Sequence, residues 1–79
     1  MEAFLRELVL YFTEGYRVEV HANHLSIKLD EALWFFVDIE STCVRLMNHD
    51  KGVDQLFNIY EGSAHEIAYG MEHRMLSFL

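Results

Sequence analysis

From Leu33 to Val37 the chain runs apolar without a break, as Leu33-Trp34-Phe35-Phe36-Val37, whereas the segments on either side alternate apolar with polar residues. Successive residues of a β-strand point to opposite faces of the sheet, so Trp34 and Phe36 must face away from the side that Leu33, Phe35, Val37 and Ile39 occupy. At 79 residues the chain has room for one domain, residues 1–79, and a domain of this size buries only roughly 60% of the surface its unfolded form exposes. Its own helices can cover one face of a sheet but hardly two. The second aromatic pair therefore points to a partner surface.

Domains this small usually gain stability from disulfides, a metal or oligomerisation. Cys43 is the only cysteine, which excludes an internal disulfide and favours a reducing compartment. No basic region precedes an apolar run at the N-terminus, and the stretch Leu8 to Phe12 is too short to span a bilayer. A cytoplasmic protein without a membrane segment is expected. Asp and Glu number 13 against 6 Lys and Arg, a net charge of -7, so direct contact with nucleic acid or an anionic membrane is disfavoured and a basic or neutral protein partner is favoured. A hydrophobic fraction of 52% and the absence of Pro argue for an ordered fold.

Phe4, Leu5, Leu8 and Phe12 recur at helical spacing, with Gly15 placed as a C-cap, so the chain is expected to open with an amphipathic helix. The period then changes to two. Tyr16, Val18 and Val20 alternate with Arg17, Glu19 and His21, and after a turn at Asn23 the residues Leu25, Ile27 and Leu29 alternate with His24, Ser26, Lys28 and Asp30. The aromatic strand follows from about Ala32 to Glu40, and Thr42 to Asn48 supplies a fourth strand. Val53 to Tyr60 fits a short helix through Val53, Leu56, Phe57 and Tyr60, or a fifth strand through Val53, Phe57 and Ile59; His49-Asp50-Lys51-Gly52 before it is hairpin chemistry and favours the strand. Ser63 and Glu66 form an S-x-x-E capping box that opens a helix with the apolar stripe Ala64, Ile67, Ala68, Met71, Met75 and Phe78. The expected fold is α+β: an antiparallel meander of four or five strands with an N-terminal and a C-terminal helix packed on one face.

Strand parity puts Trp34, Phe36, Arg45, Met47 and Tyr60 on the other face, together with Cys43 and Lys28. Tryptophan, arginine and methionine are enriched in interface cores, so these five residues are the expected partner-binding set. Asp30, Glu31, Asp38 and Glu40 form the expected acidic surface beside it. His21 and His24 flank a tight turn and are the weak candidates for a metal, to which His49 and Asp50 add donors if the two hairpins share a sheet end. Cys43 has a neighbouring base only if His21 or His24 lies across the sheet from it, and the four glycines are isolated, so no phosphate loop is present. Neither an enzyme nor a cofactor is expected.

The expectation is a small acidic protein-protein interaction module, a stoichiometric inhibitor or adaptor of a larger protein. Phages and mobile elements encode acidic proteins of this size against nucleic-acid-processing or defence machinery, and the analogy is one of size and composition. The alternatives are a structural homo-oligomer, in the simplest case a homodimer, that consumes the aromatic face by self-association, and a small metal- or ligand-binding module using His21 and His24.

Overall fold

The computed structural model describes residues 2–22 and 24–79, the side chain of Glu2 excepted; the turn expected at Asn23 lies outside the described residues. In chain order the elements are helix α1 (Glu2–Thr13), strands β1 (Arg17–His21), β2 (His24–Asp30), β3 (Leu33–Ile39) and β4 (Cys43–Asn48), a 3-10 turn (His49–Lys51), strand β5 (Val53–Asn58) and helix α2 (Ala64–Leu76). The strands form one sheet in the order β1-β2-β3-β4-β5, with every neighbouring pair antiparallel. This is the α+β meander with terminal helices, with the fifth strand present.

The chain between β4 and β5 makes Val53 to Asn58 a strand. Asn48 accepts the Lys51 N–H at 3.0 Å through its side chain. Gly52 then turns the chain back at φ 69°, a left-handed conformation that costs glycine little and other residues more. The returning chain pairs with β4 from Asn48 opposite Val53 to Cys43 opposite Asn58. Gly15 caps α1 as expected but without the left-handed conformation that a C-cap glycine usually takes. It closes α1 by donating its N–H to the Phe12 carbonyl at 3.3 Å, while Gly52 is the positive-φ glycine among the described residues.

The core lies between the helices and one face of the sheet. Leu25, Ile27, Phe35, Val37, Val44 and Leu46 from the strands are fully buried with Leu8 and Phe12 from α1 and Ala68, Met71 and Met75 from α2. Phe78 places its ring 5.9 Å from that of Phe35, carrying the end of the chain onto the central strand. Val20 shares the core-facing parity of Val18 and is expected in the core, but it is not buried. It is 52% exposed because β1 is an edge strand and Val20 stands next to its terminal turn.

The meander puts the β1–β2 and β3–β4 turns at one end of the sheet and the β2–β3 and β4–β5 turns at the other. A register shift between Lys28 and Asp30 marks a bulge in β2. Such an insertion sharpens the local twist where the chain turns toward the aromatic strand.

Candidate docking face

The sheet face away from the helices is assembled by register alone. One row across it reads Glu19, Ser26, Phe36, Met47 and Asp54; the next toward the β1–β2 turn reads His21, His24, Asp38, Arg45 and Leu56; on the opposite side Arg17, Lys28 and Trp34 share a row. Trp34, Phe36 and Met47 thus adjoin one another, and Leu56 lies diagonally beyond Met47. Phe36 is 43% and Leu56 53% exposed. No element of the described chain covers them.

Trp34 and Met47 are half-buried. Lys28 Nζ stands 5.8 Å from the Trp34 ring centroid, so its stem covers part of the indole. The Trp34 carbonyl is tied from below by Asn48 Nδ2 at 2.9 Å, fixing β3 against the β4–β5 turn. Trp34, Phe36 and Met47 line one side of a shallow depression of about 480 Å³ that ends at His49 and Asp50.

Arg45 is held within the chain by two carboxylates. Its Nε donates to Glu40 Oε2 at 3.1 Å and its Nη1 to Asp54 Oδ1 at 2.8 Å. The guanidinium holds the Glu40 carboxyl below the usual carboxylate range, with the Cys43 thiol adding to the effect. Cys43 Sγ lies 3.4 Å from Glu40 Oε1, and partial burial followed by that hydrogen bond pushes the thiol up, away from the thiolate that a nucleophile needs. Arg45 is thereby a fixed edge to the apolar patch rather than a free cation.

The expected acidic residues separate into different roles. Asp30 accepts the Ala32 N–H at 3.2 Å and shapes the β2–β3 turn. Glu31 projects fully into solvent, 3.8 Å from Lys28. Asp38 lies between His24 and Arg45 in register, and Glu40 is paired with Arg45. Tyr60 stands apart from the aromatic cluster. It is 77% exposed in the turn after β5, at the end of the sheet opposite Trp34.

His21 and His24 face each other across the first hairpin with rings stacked at 4.8 Å, and Glu19 Oε1 approaches His21 Nε2 at 3.9 Å. His49 and Asp50 lie at the other end of the sheet, because the first and last hairpin turns of the meander point in opposite directions. Among the described residues no group of three or more His, Cys, Asp or Glu side chains is placed to hold a metal ion. Cys43 has Glu40 rather than a histidine beside it, since β3 separates β4 from β2.

Two features escape a reading of the sequence. Leu56 and Asp54 belong to the open face once Val53 to Asn58 is a strand, and the parity of Val53, Phe57 and Ile59 was the available signal. Glu72, which helical periodicity places on the outward face of α2, is half-buried and receives hydroxyl hydrogens from Tyr11 at 2.7 Å and Tyr16 at 2.6 Å. No local pattern announces that contact. Comparison with protein-family models, curated proteins and solved structures finds no match. Among the described residues no helix is long and apolar enough to cross a membrane. The class is therefore set by the architecture: an α+β domain with both helices on one sheet face and an apolar patch on the other.

Proposed function

We propose that the chain is a protein-docking module that acts stoichiometrically, as an inhibitor or adaptor, on a larger protein. The observation that carries the reading is the patch of Trp34, Phe36 and Met47 on the uncovered sheet face, with Leu56 beyond the Arg45–Asp54 ion pair. Bare aromatic area of this kind is an aggregation liability in a small domain unless it serves contact. Partly buried aromatic anchors inside a ring of polar groups are the usual composition of an energetic centre in an interface. The excess of carboxylates suits a partner with basic surface and leaves nucleic acid as a poor direct ligand.

The test is the solution mass of the pure protein by light scattering across concentration and salt, with acrylamide quenching of the only tryptophan, Trp34. Trp34 is expected to stay quenchable at every concentration. A dimer that forms with concentration and shields Trp34 would instead assign the patch to self-association. A binding partner retained by the native chain and lost by the folded Trp34→Ala, Phe36→Ala double variant completes the case; retention of every partner by that variant defeats it.

A further inference from the structure

We infer that a second copy of this chain pairs with it edge to edge through β5, antiparallel about a two-fold axis at Leu56, so that the two five-stranded sheets join into one. The open faces of the two copies then lie side by side. Trp34 on β3, two strands away from the joint, stays open to a docking partner.

The backbone decides what the edge offers. Ile59 donates its N–H to the Thr42 carbonyl at 3.1 Å, and the register continues that bonded pair as Phe57 with Val44, Gln55 with Leu46 and Val53 with Asn48. Alternate residues of an antiparallel strand bond to the same neighbour, so Asp54, Leu56 and Asn58 turn their N–H and C=O groups to the outside. β5 is the last strand of the sheet. A depression of about 650 Å³ borders it, lined by Gln55, Leu56, Phe57 and Asn58 together with Glu66 and Ile67 of α2, which leaves room beside the strand.

The two edges of the sheet differ in protection. β1 reads Arg17-Val18-Glu19-Val20-His21, and ionisable side chains at alternate positions discourage another strand from pairing there. β5 reads Val53-Asp54-Gln55-Leu56-Phe57-Asn58, and its one charge, Asp54, is held by Arg45 at 2.8 Å. Leu56, at the middle, is exposed. A strand edge without Lys, Pro or an unpaired charge is a template for another strand.

Symmetry sets the register that uses all three outward residues. Leu56 lies opposite Leu56 of the second copy, with Asp54 opposite Asn58 on either side of the axis. Asp54 Oδ1 is taken by Arg45 and Asn58 Oδ1 by the Tyr60 N–H at 2.8 Å, so Asp54 Oδ2 meets Asn58 Nδ2 of the other copy as acceptor and donor. Continued outward, the same register sets Glu61 level with Lys51 of the second copy, and Asp50 level with Gly62. Lys51 and Glu61 are exposed, and among the described residues neither has an ion-pair partner. No carboxylate stands opposite a carboxylate along the joint, so the net charge of -7 on each chain acts at distances where salt screens it. One strand pair is a small interface, so the association is weak and the dilute protein is monomeric.

The experiment is light scattering on the full chain from about 10 µM to about 1 mM, with acrylamide quenching of Trp34 at each concentration. The mass is expected to climb toward that of two chains while quenching stays unchanged. Leu56→Pro removes an N–H that points away from β4, so the sheet keeps its ladder, and the dimer should weaken at least about tenfold. Lys51→Glu sets like charges level with each other and should weaken the dimer about threefold, while Lys51→Glu combined with Glu61→Lys restores it. Val20→Lys on the other edge should change nothing. Circular dichroism checks that each variant is folded; if Leu56→Pro is not, Leu56→Lys, which opposes two cations at the axis, takes its place.

A mass of one chain up to about 1 mM overturns the inference alone, since the docking reading is decided by Trp34 and by loss of a partner in the Trp34→Ala, Phe36→Ala variant. A dimer undiminished by the Leu56 substitution, or lost in Val20→Lys, has its joint elsewhere and also overturns the inference alone. Failure of the charge exchange to restore the dimer overturns the register. A dimer that shields Trp34 is joined through the open face and overturns both the inference and the docking reading.

Discussion

Tyr16 donates its phenolic hydrogen to Glu72 Oε2 at 2.6 Å, joining the start of β1 to the middle of α2 across 56 positions of sequence. Tyr11 on α1 donates to the other oxygen of the same carboxylate at 2.7 Å, so one side chain fastens three parts of the fold. A half-buried carboxylate that accepts two hydroxyls cannot be truncated without stranding both donors. Glu72→Ala is expected to lower stability by about 1–3 kcal/mol, and Tyr16→Phe by about 1 kcal/mol, because in the latter the carboxylate keeps one partner and solvent reaches the rest. Urea unfolding followed by circular dichroism measures both; a Glu72→Ala midpoint equal to that of the native chain would remove the contact from the account of stability.

The same triad predicts a stability curve with two shoulders. The hydroxyls of Tyr16 and Tyr11 hold the Glu72 carboxyl below its ordinary value of 4.5. Its contribution is therefore full above the unfolded-state value and is lost as pH falls through the lowered folded value. Glu40, through Arg45, and Glu66, through the capping box with Ser63, add losses of the same direction. At the alkaline end, burial and then the bond to Glu72 push both Tyr11 and Tyr16 from 10.0 up to about 12. That contribution is complete below the ordinary tyrosine value and disappears as pH climbs from there to the folded value. Urea midpoints taken across pH should fall at both extremes, and the Tyr11→Phe, Tyr16→Phe variant should lose the alkaline fall together with Glu72's share of the acid one, leaving the shares of Glu40 and Glu66.

Two glycines should respond oppositely to alanine. Gly70 lies inside α2, and a methyl group placed there would meet the Phe57 ring at 3.6 Å, an ordinary contact. Gly70→Ala is expected to stabilise by about 0.5–1 kcal/mol through helix propensity. Gly52 has open space around it but φ 69°, so Gly52→Ala should destabilise by about 1 kcal/mol through the backbone alone. Thermal unfolding of the two variants beside the native chain checks the pair. Movement of both in one direction would contradict the reading.

The meander and its helices were legible because each element carries its own local pattern: a two-residue period in β1 and β2, an unbroken apolar run in β3, a capping box at Ser63 and Glu66. The open face was legible at Trp34, Phe36 and Met47 for the same reason. Leu56 was not, because Val53 to Tyr60 satisfies helical and strand periods alike until Gly52 fixes the turn. Arg45 could be assigned to a face but not to its partners, since Glu40 and Asp54 reach it only through the β3–β4 turn and the β4–β5 pairing. Helical periodicity puts Glu72 with the solvent-facing residues of α2, and only the approach of Tyr11 on α1 and Tyr16 beside β1 makes it an acceptor. What sequence withheld was side-chain contact between elements far apart in the chain.

The neighbouring residues Phe35 and Phe36 give the sharpest test of the feature that organises the molecule. Phe35 is fully buried against Phe78 and the central strands, whereas Phe36 is 43% exposed on the uncovered face. Phe35→Ala leaves a cavity in the core and is expected to cost about 3–5 kcal/mol. A domain of this length has about 4–12 kcal/mol of stability in total, so that single change consumes a large part of it or unfolds the chain. Phe36→Ala removes a side chain that already meets water, and its cost should stay below about 1 kcal/mol, made up of cross-strand contact with Met47 and Ser26. Paired urea titrations on the two variants measure the ratio. Equal losses would mean that both faces of β3 are core, and the open face would cease to be a surface on which anything could dock.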